Sequence, residues 1–446
     1  MSASRYARVL IALSRRLRGP RWRTRAVLWL AAGIAGLVVA GFAALSDLVQ
    51  AWFFRAYASW AWLPFLLTPL SGMGVVWATN RYFAGIQGSG IPQVIAATRL
   101  AALQQPVAHL VSLRIAFGKI VLGAVALLGG FSAGREGPSV QVAASILHSA
   151  HTLLPFRRAL RESDLLLAGG AAGIAAAFNT PLAGIVFAIE ELSRRLESRT
   201  SGVLISSVVI AGLIAIGLEG DYKYFGALHV GAISWTIVWP VLVCGFLAGI
   251  AGGLFSRLLL LPQKCAACPL WQWRARHPVA FAGACGLVVA MIGWATGGAT
   301  FGSGYAITSS AMSGQTVLGW SEPIAKFAAT VVTYYSGIPG GIFAPCLAVG
   351  AGFGFDIAQL LGQAEAHPIV ALCMAAFLAA VTQSPITAAV IVMEMIDNHG
   401  MVISLMAAAL LARAVSSRFG PELYQQLALG FMSPRPAERR NPAAGS

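Results

Sequence analysis

Residues 134–140 read Gly134-Arg135-Glu136-Gly137-Pro138-Ser139-Val140. One acid, Glu136, is set between two glycines in a chain otherwise poor in charge. Glycine lets the backbone approach a ligand closely and take turns closed to other residues. Pro138 suits the first turn of a helix, where its missing N–H costs nothing. The stretch predicts a bent loop and then a helix starting near Pro138, with exposed N–H groups beside Glu136. Such groups attract anions. A carboxylate held there can occupy an anion site itself and leave it when protonated, which couples an anion to a proton.

The chain around this loop is that of a membrane protein. Of its 446 residues 57% are hydrophobic and 11% charged, with a mean hydropathy of +0.74. Soluble domains carry about 25% charged residues, and a soluble protein of this composition would lack polar surface to cover itself. The net charge of +15 sits at particular places. Arg5, Arg8, Arg15, Arg16, Arg18, Arg21, Arg23 and Arg25 precede the first long apolar run with no acid among them. Positive-inside topology accounts for them better than nucleic-acid binding does, and places the N-terminus in the cytoplasm. Arg435, Arg439 and Arg440 suggest the same for the C-terminus. The first apolar run is too long for a cleaved signal peptide.

Residues 26–45 are uncharged and long enough to span ~30 Å of hydrocarbon. Further apolar runs cover 60–79, 140–154, 202–218, 235–255, 279–300 and 401–411. In the run over 235–255, Gly245, Gly249 and Gly253 give a glycine face for close helix packing. Three other runs are interrupted: 165–189 by Asn179-Thr180-Pro181, 327–354 by Gly337-Ile338-Pro339-Gly340-Gly341, and 369–393 by Ser384-Pro385. Each is expected to form two shorter helices.

Three marks occur twice, in the same order. Gly88-Ser89-Gly90 matches Gly302-Ser303-Gly304. The Gly134 loop matches the Gly340 loop, with Pro138 against Pro345. Asn179-Thr180-Pro181 and the run to Glu190 match Gln383-Ser384-Pro385 and the run to Glu394. Paired broken helices in two halves point to a transporter with its site at the bilayer midplane. The repeat alone leaves open whether the halves are inverted.

Together these motifs resemble the CLC chloride channel and transporter family. Gly88-Ser89-Gly90-Ile91-Pro92, Gly134-Arg135-Glu136-Gly137-Pro138 and Gly340-Gly341-Ile342-Phe343-Ala344-Pro345 are similar to its three signatures, and Phe178-Asn179-Thr180-Pro181-Leu182-Ala183-Gly184 is similar to a further family stretch. The resemblance covers nearly the whole chain. It implies an all-α integral membrane fold of many tilted and broken helices in two inverted-topology halves, and a homodimer with one anion pathway per subunit. It implies that Ser89 and Tyr424 offer hydroxyls to a central chloride, joined by backbone N–H groups of Ile342 and Phe343. Backbone N–H groups around Arg135, Glu136 and Gly137 would form an outer site. Glu136 would be the gate that also passes a proton, and Glu191 the inner proton acceptor. Hydroxyls and N–H dipoles bind a halide without fixed positive charge, so the ion can leave again.

The organisation expected is a basic cytoplasmic segment over 1–25, a first transmembrane half-repeat over 26–218, a second over 235–412, and a C-terminal helix with Tyr424 and a short basic tail over 413–446. The resemblance implies a proton-coupled chloride exchanger of a bacterial inner membrane that needs no cofactor, its partners being chloride, protons, lipid and a second copy. A passive chloride channel is the alternative within the fold. Glu191 favours exchange. Gln93 and Ile95 stand where many exchanging relatives carry acids, which weakens the inner proton route. Ser89 argues for chloride over nitrate or fluoride. Outside the fold, Gly130-Phe131-Ser132-Ala133-Gly134 fits the Gly-x-Ser-x-Gly pattern of hydrolases, which requires a strand-turn-helix setting with a partner His and acid. Cys265 and Cys268 form a lone Cys-x-x-Cys, with no second pair to make a zinc or redox site. Cys244, Cys285, Cys346 and Cys373 are expected as packing residues. His148 and His151 are expected at a helix end near the interface, with no Cys or acid cluster beside them to make a metal site.

Overall fold

The computed structural model describes residues 20–153, 160–193, 198–220, 237–312, 319–362 and 366–432. Arg5 to Arg18, Arg157, Arg158, Arg194, Arg195, Trp235 and the basic tail lie outside the described residues, and with them the charge pattern from which the topology of the termini was inferred. The regular structure of the described residues is helical, apart from two isolated β-bridges.

The first half contains α1 (Pro20–Ser59), α2 (Pro64–Tyr82), α3 (Ile91–Ala102), α4 (Leu113–Leu128), α5 (Glu136–Ala150), α6 (Glu162–Phe178), α7 (Pro181–Phe187, continued by a π turn over Ala188–Ser193) and α8 (Ser198–Glu219). The second contains α9 (Val238–Leu259), the short α10 (Pro269–Arg276), α11 (Pro278–Ala295), α12 (Tyr305–Met312), α13 (Glu322–Ser336), α14 (Phe343–Leu360), α15 (His367–Thr382), α16 (Pro385–Ile396) and α17 (Val402–Ser416). Helix α18 (Leu423–Met432) follows. Five helical stretches are long and apolar enough to cross a membrane: Trp22–Ser59, Val238–Leu259, Pro278–Ala295, Phe343–Leu360 and His399–Ser416. The three interrupted runs are broken where expected. Asn179 and Gln383 both take left-handed backbone at φ 57° and 61°, ending α6 and α15.

Two boundaries differ from expectation. Helix α1 has 40 residues and continues past residue 45, because the polar residues there find partners. Ser46 Oγ donates to the Phe42 carbonyl at 2.7 Å, and Asp47 pairs with Arg135 at 2.6 Å. Helix α5 begins at Glu136, two residues before Pro138. The third helical position has no intrahelical partner for its N–H either, so proline fits there.

Two of the three doubled marks meet their counterparts in space. Gly134 N–H donates to the Gly341 carbonyl at 2.7 Å, and Gly341 N–H returns the bond to Gly134 at 2.7 Å. Glu190, at the end of α7, accepts N–H bonds from Ile386 (3.2 Å) and Thr387 (2.6 Å) at the start of α16. Glu394, near the end of α16, accepts from Leu182 (3.2 Å) and Ala183 (2.7 Å) at the start of α7. Each helix is thus capped by a carboxylate from the far end of its counterpart, where the N-terminal dipole favours negative charge. Two helices that cap each other in this way run antiparallel, so equivalent elements point in opposite directions and the halves are inverted. The glycine face of α9 packs on α17 and the turn after it: a Cβ at Gly245 would lie 3.1 Å from the Ala408 carbonyl, and one at Gly249 3.1 Å from that of Ala412.

Candidate anion pathway

Four helix starts converge where the halves meet. The loop before α3 brings Ser89, α5 brings Glu136 and Gly137, α14 brings Ile342 and Phe343, and α18 brings Tyr424; all these side chains are buried. Gly88 pairs with the loop before α14 through Gly88 N–H to Ile338 (3.0 Å) and Gly340 N–H to Gly88 (3.1 Å). The loops are packed so closely that a Cβ at Gly137 would collide with Ser89 Oγ, and one at Gly341 would lie 2.9 Å from the Gly137 nitrogen. The first N–H groups of α5 and α14 have no partner within their own helices.

Ser89 does not cap its helix. The backbone N–H of Gly90 is capped instead by Gln93 Oε1 at 3.1 Å. Its counterpart Ser303 spends its hydroxyl on the Tyr305 N–H at 3.3 Å. Ser89 Oγ faces the Tyr424 phenol and the two hydroxyls interact with each other, but neither oxygen makes a hydrogen bond of sound geometry among the described residues. Buried hydroxyls are normally bonded, so two orphaned ones side by side ask for an acceptor between them. The Tyr424 ring stacks on Phe343 at 6.0 Å between centroids, and Phe343 meets Phe178 and Phe187. These aromatic contacts fix where the phenol points.

The Glu136 carboxylate folds over Gly134, where a Cβ would collide with its Oε2, and is fully buried. Arg135 directs its guanidinium away from the site, to Asp47 at 2.6 Å and the Ala43 carbonyl at 2.6 Å. Its side chain anchors the loop to α1, leaving only its backbone beside Glu136. Glu191 is buried in the π turn. It accepts a hydrogen bond from Ser384 Oγ, and its carbonyl accepts one from Gln425 Nε2 at 2.9 Å. Gln425, next to Tyr424, is also bonded to Arg99. Glu191 is thus tied through Gln425 to the residue next to Tyr424 on α18.

Several partners were not found by sequence reasoning. Lys119 from α4 donates to the carbonyls of Ile86 (2.7 Å) and Gly88 (2.6 Å), holding the loop before Ser89. Lys326 from α13 does the same to Thr300 (2.9 Å) and Gly302 (2.8 Å). A lone lysine in the apolar helix after each Gly-Ser-Gly mark was the available signal. Gln93 also donates to the carbonyls of Gly85 (3.2 Å) and Gln87 (2.5 Å), so it ties the loop together. Ile95 is buried in the core. His148 has an acidic partner, Glu162 at the start of α6. No cluster of metal-ligating groups occurs among the described residues. Ser132 bonds to Thr330 Oγ1 at 2.9 Å in a turn between helices, which is not the setting of a hydrolase nucleophile.

A helical multi-pass membrane protein with paired broken helices, inverted halves and a buried polar site at their junction is a transport protein. The chain belongs to the Voltage gated chloride channel family, whose model matches residues 71–417. It is 32% identical over 384 residues to the H(+)/Cl(-) exchange transporter ClcA of Yersinia pestis bv. Antiqua (strain Angola), covering 82% of this chain and 77% of that one. To the ClcA of Cronobacter sakazakii (strain ATCC BAA-894) it is 32% identical over 413 residues, covering 87% and 85%. Its structure is similar to that of a slow cyanobacterial Cl−/H+ antiporter, with a TM-score of 0.80 at 25% identity over 92% of this chain and 98% of the other. A CLC-type fluoride/proton antiporter shares the fold with a TM-score of 0.75 at 21% identity, over 90% and 96% of the two chains. These relatives are transporters and antiporters, not enzymes.

Proposed function

We propose that the chain exchanges chloride for protons across a bacterial inner membrane, as a homodimer with both termini in the cytoplasm. The observation that carries this is the pair of buried, unbonded hydroxyls of Ser89 and Tyr424 beside the starts of α5 and α14. A chloride between them accepts from both hydroxyls and from the N–H groups of Ile342 and Phe343. N–H groups of Arg135, Glu136 and Gly137 form an outer station. The Glu136 carboxylate competes with chloride there; when protonated it no longer needs the helix N-terminus and swings clear. Glu191 takes the proton on the inner side. Its bond from Ser384 and its link through Gln425 to the segment bearing Tyr424 support that role. The relatives named as exchangers agree with this direction of coupling.

Passive chloride flow is the second candidate. It is favoured by Gln93, whose amide is committed to its own loop, and by Ile95, which brings no acid to the inner route. Paired records of chloride and proton flux from reconstituted vesicles separate the two. Exchange requires proton movement that disappears in Glu136→Gln while chloride still flows. Chloride flux without proton movement in the unaltered protein would establish passive flow.

A further inference from the structure

Two adjoining cavities open beside the pathway. One, of about 420 Å3, is lined by residues including Asn80, Trp271, Arg274 and Ser336. The other, of about 250 Å3, reaches Gly88, the residue before Ser89, and Tyr334. They share Gln87, Pro262, Arg274 and Gly337, so Arg274 stands at their junction. Helix α10 is held in place by Trp271, whose ring meets Tyr335 edge-on at 4.8 Å between centroids. Arg274 is three residues further along, on the same helix face. A Cβ at Gly337 would lie 3.6 Å from its Nη2.

Among the described residues no carboxylate answers this guanidinium. The titratable groups acting on it are Tyr334, Cys285 and Tyr335, all neutral at pH 7. The ion pairs among the described residues involve other side chains. The sequence has no Asp or Glu between Asp221 and Glu322, while Lys223, Arg257, Lys264, Arg274 and Arg276 fall in that interval. A positive charge in a concave, low-dielectric mouth focuses the field and raises the local concentration of anions.

We propose that Arg274 is an anion-recruiting station at the mouth that leads past Gly88 to Ser89, where a halide rests before entering the neutral pathway. This rests on the chloride pathway proposed above. Arg274 is a positioning residue for the incoming ion and makes no contact with the Ser89 and Tyr424 hydroxyls. Its charge is half-buried at a mouth, so it attracts the ion without trapping it.

The test measures chloride flux against chloride concentration in proteoliposomes. Arg274→Gln should raise the half-saturating chloride roughly three- to tenfold with little change in maximal rate, and Arg274→Lys should stay near the unaltered protein. The difference should shrink at high ionic strength set with sodium gluconate, since salt screens the charge. A packing role would instead impair Arg274→Lys as well and show no salt dependence. Arg274→Cys supplies a second measurement, made with Cys265 and Cys268 changed to serine because both are free thiols. A trimethylammonium-bearing thiol reagent should restore the low half-saturation, and a sulfonate-bearing one should raise it further. An unchanged half-saturation in Arg274→Gln, with flux intact, would overturn the station alone. Absence of chloride flux in the unaltered protein would overturn the pathway itself.

Discussion

At the scale of single residues, the same Gly-Ser-Gly mark serves two ends. Ser303 caps α12, whereas Gln93 takes over the capping beside Ser89 and leaves its hydroxyl available. Gly137→Ala should therefore block the site directly, because the added methyl meets Ser89 Oγ. Overpacking of this kind costs about 1–3 kcal/mol, so chloride affinity measured by calorimetry should fall by roughly five- to 150-fold. Ser384→Ala removes the donor to the buried Glu191 carboxylate. Proton flux should drop several-fold while chloride affinity stays unchanged, and Ser384→Thr should recover the flux. The gathering of Glu136, Ser89 and Phe343 at the junction was legible in the sequence because each sits in or beside a glycine-marked loop. Ser384, Lys119 and Arg274 were not. Each acts on a group brought near only by folding, and a single serine, lysine or arginine carries no local sign of such a partner.

At the scale of elements, the reciprocal caps make a symmetric prediction. Glu190 and Glu394 each satisfy two N–H groups at the start of the other's helix. Removing one carboxylate leaves a partly exposed helix start without its cap, at about 0.5–2 kcal/mol. Glu190→Ala and Glu394→Ala should lower the thermal midpoint in detergent by similar amounts, and their effects should add, since the two sites share no partner. A large drop for one and none for the other would deny the quasi-twofold relation of α7 and α16. The breaks in these helices were readable because Thr180-Pro181 and Ser384-Pro385 are strong local stops. The caps themselves were not readable, since Glu190 beside Glu191, Arg194 and Arg195 looks like an ordinary solvated helix end.

At the scale of the whole molecule, Ser89, Glu136 and Glu191 lie in the first half, Ile342 and Phe343 in the second and Tyr424 on α18, so these groups come together only once the inverted halves have packed. The hydropathy and the doubled marks revealed the membrane class and the repeat. The inversion emerged only with the antiparallel caps, because the doubled marks give the order of equivalent elements along the chain and not their direction in space. Mass measurement in detergent should give twice the 46.5 kDa chain after subtraction of bound detergent, and a single-chain mass would deny the homodimer. The central claim is coupling of chloride to protons through Glu136 and Glu191. The most direct measurement places the protein in liposomes with a chloride gradient, no pH gradient and voltage otherwise undriven, with a pH electrode outside. The account predicts proton movement driven by chloride and lost in both Glu136→Gln and Glu191→Gln. Chloride flux with no proton movement in the unaltered protein would contradict it.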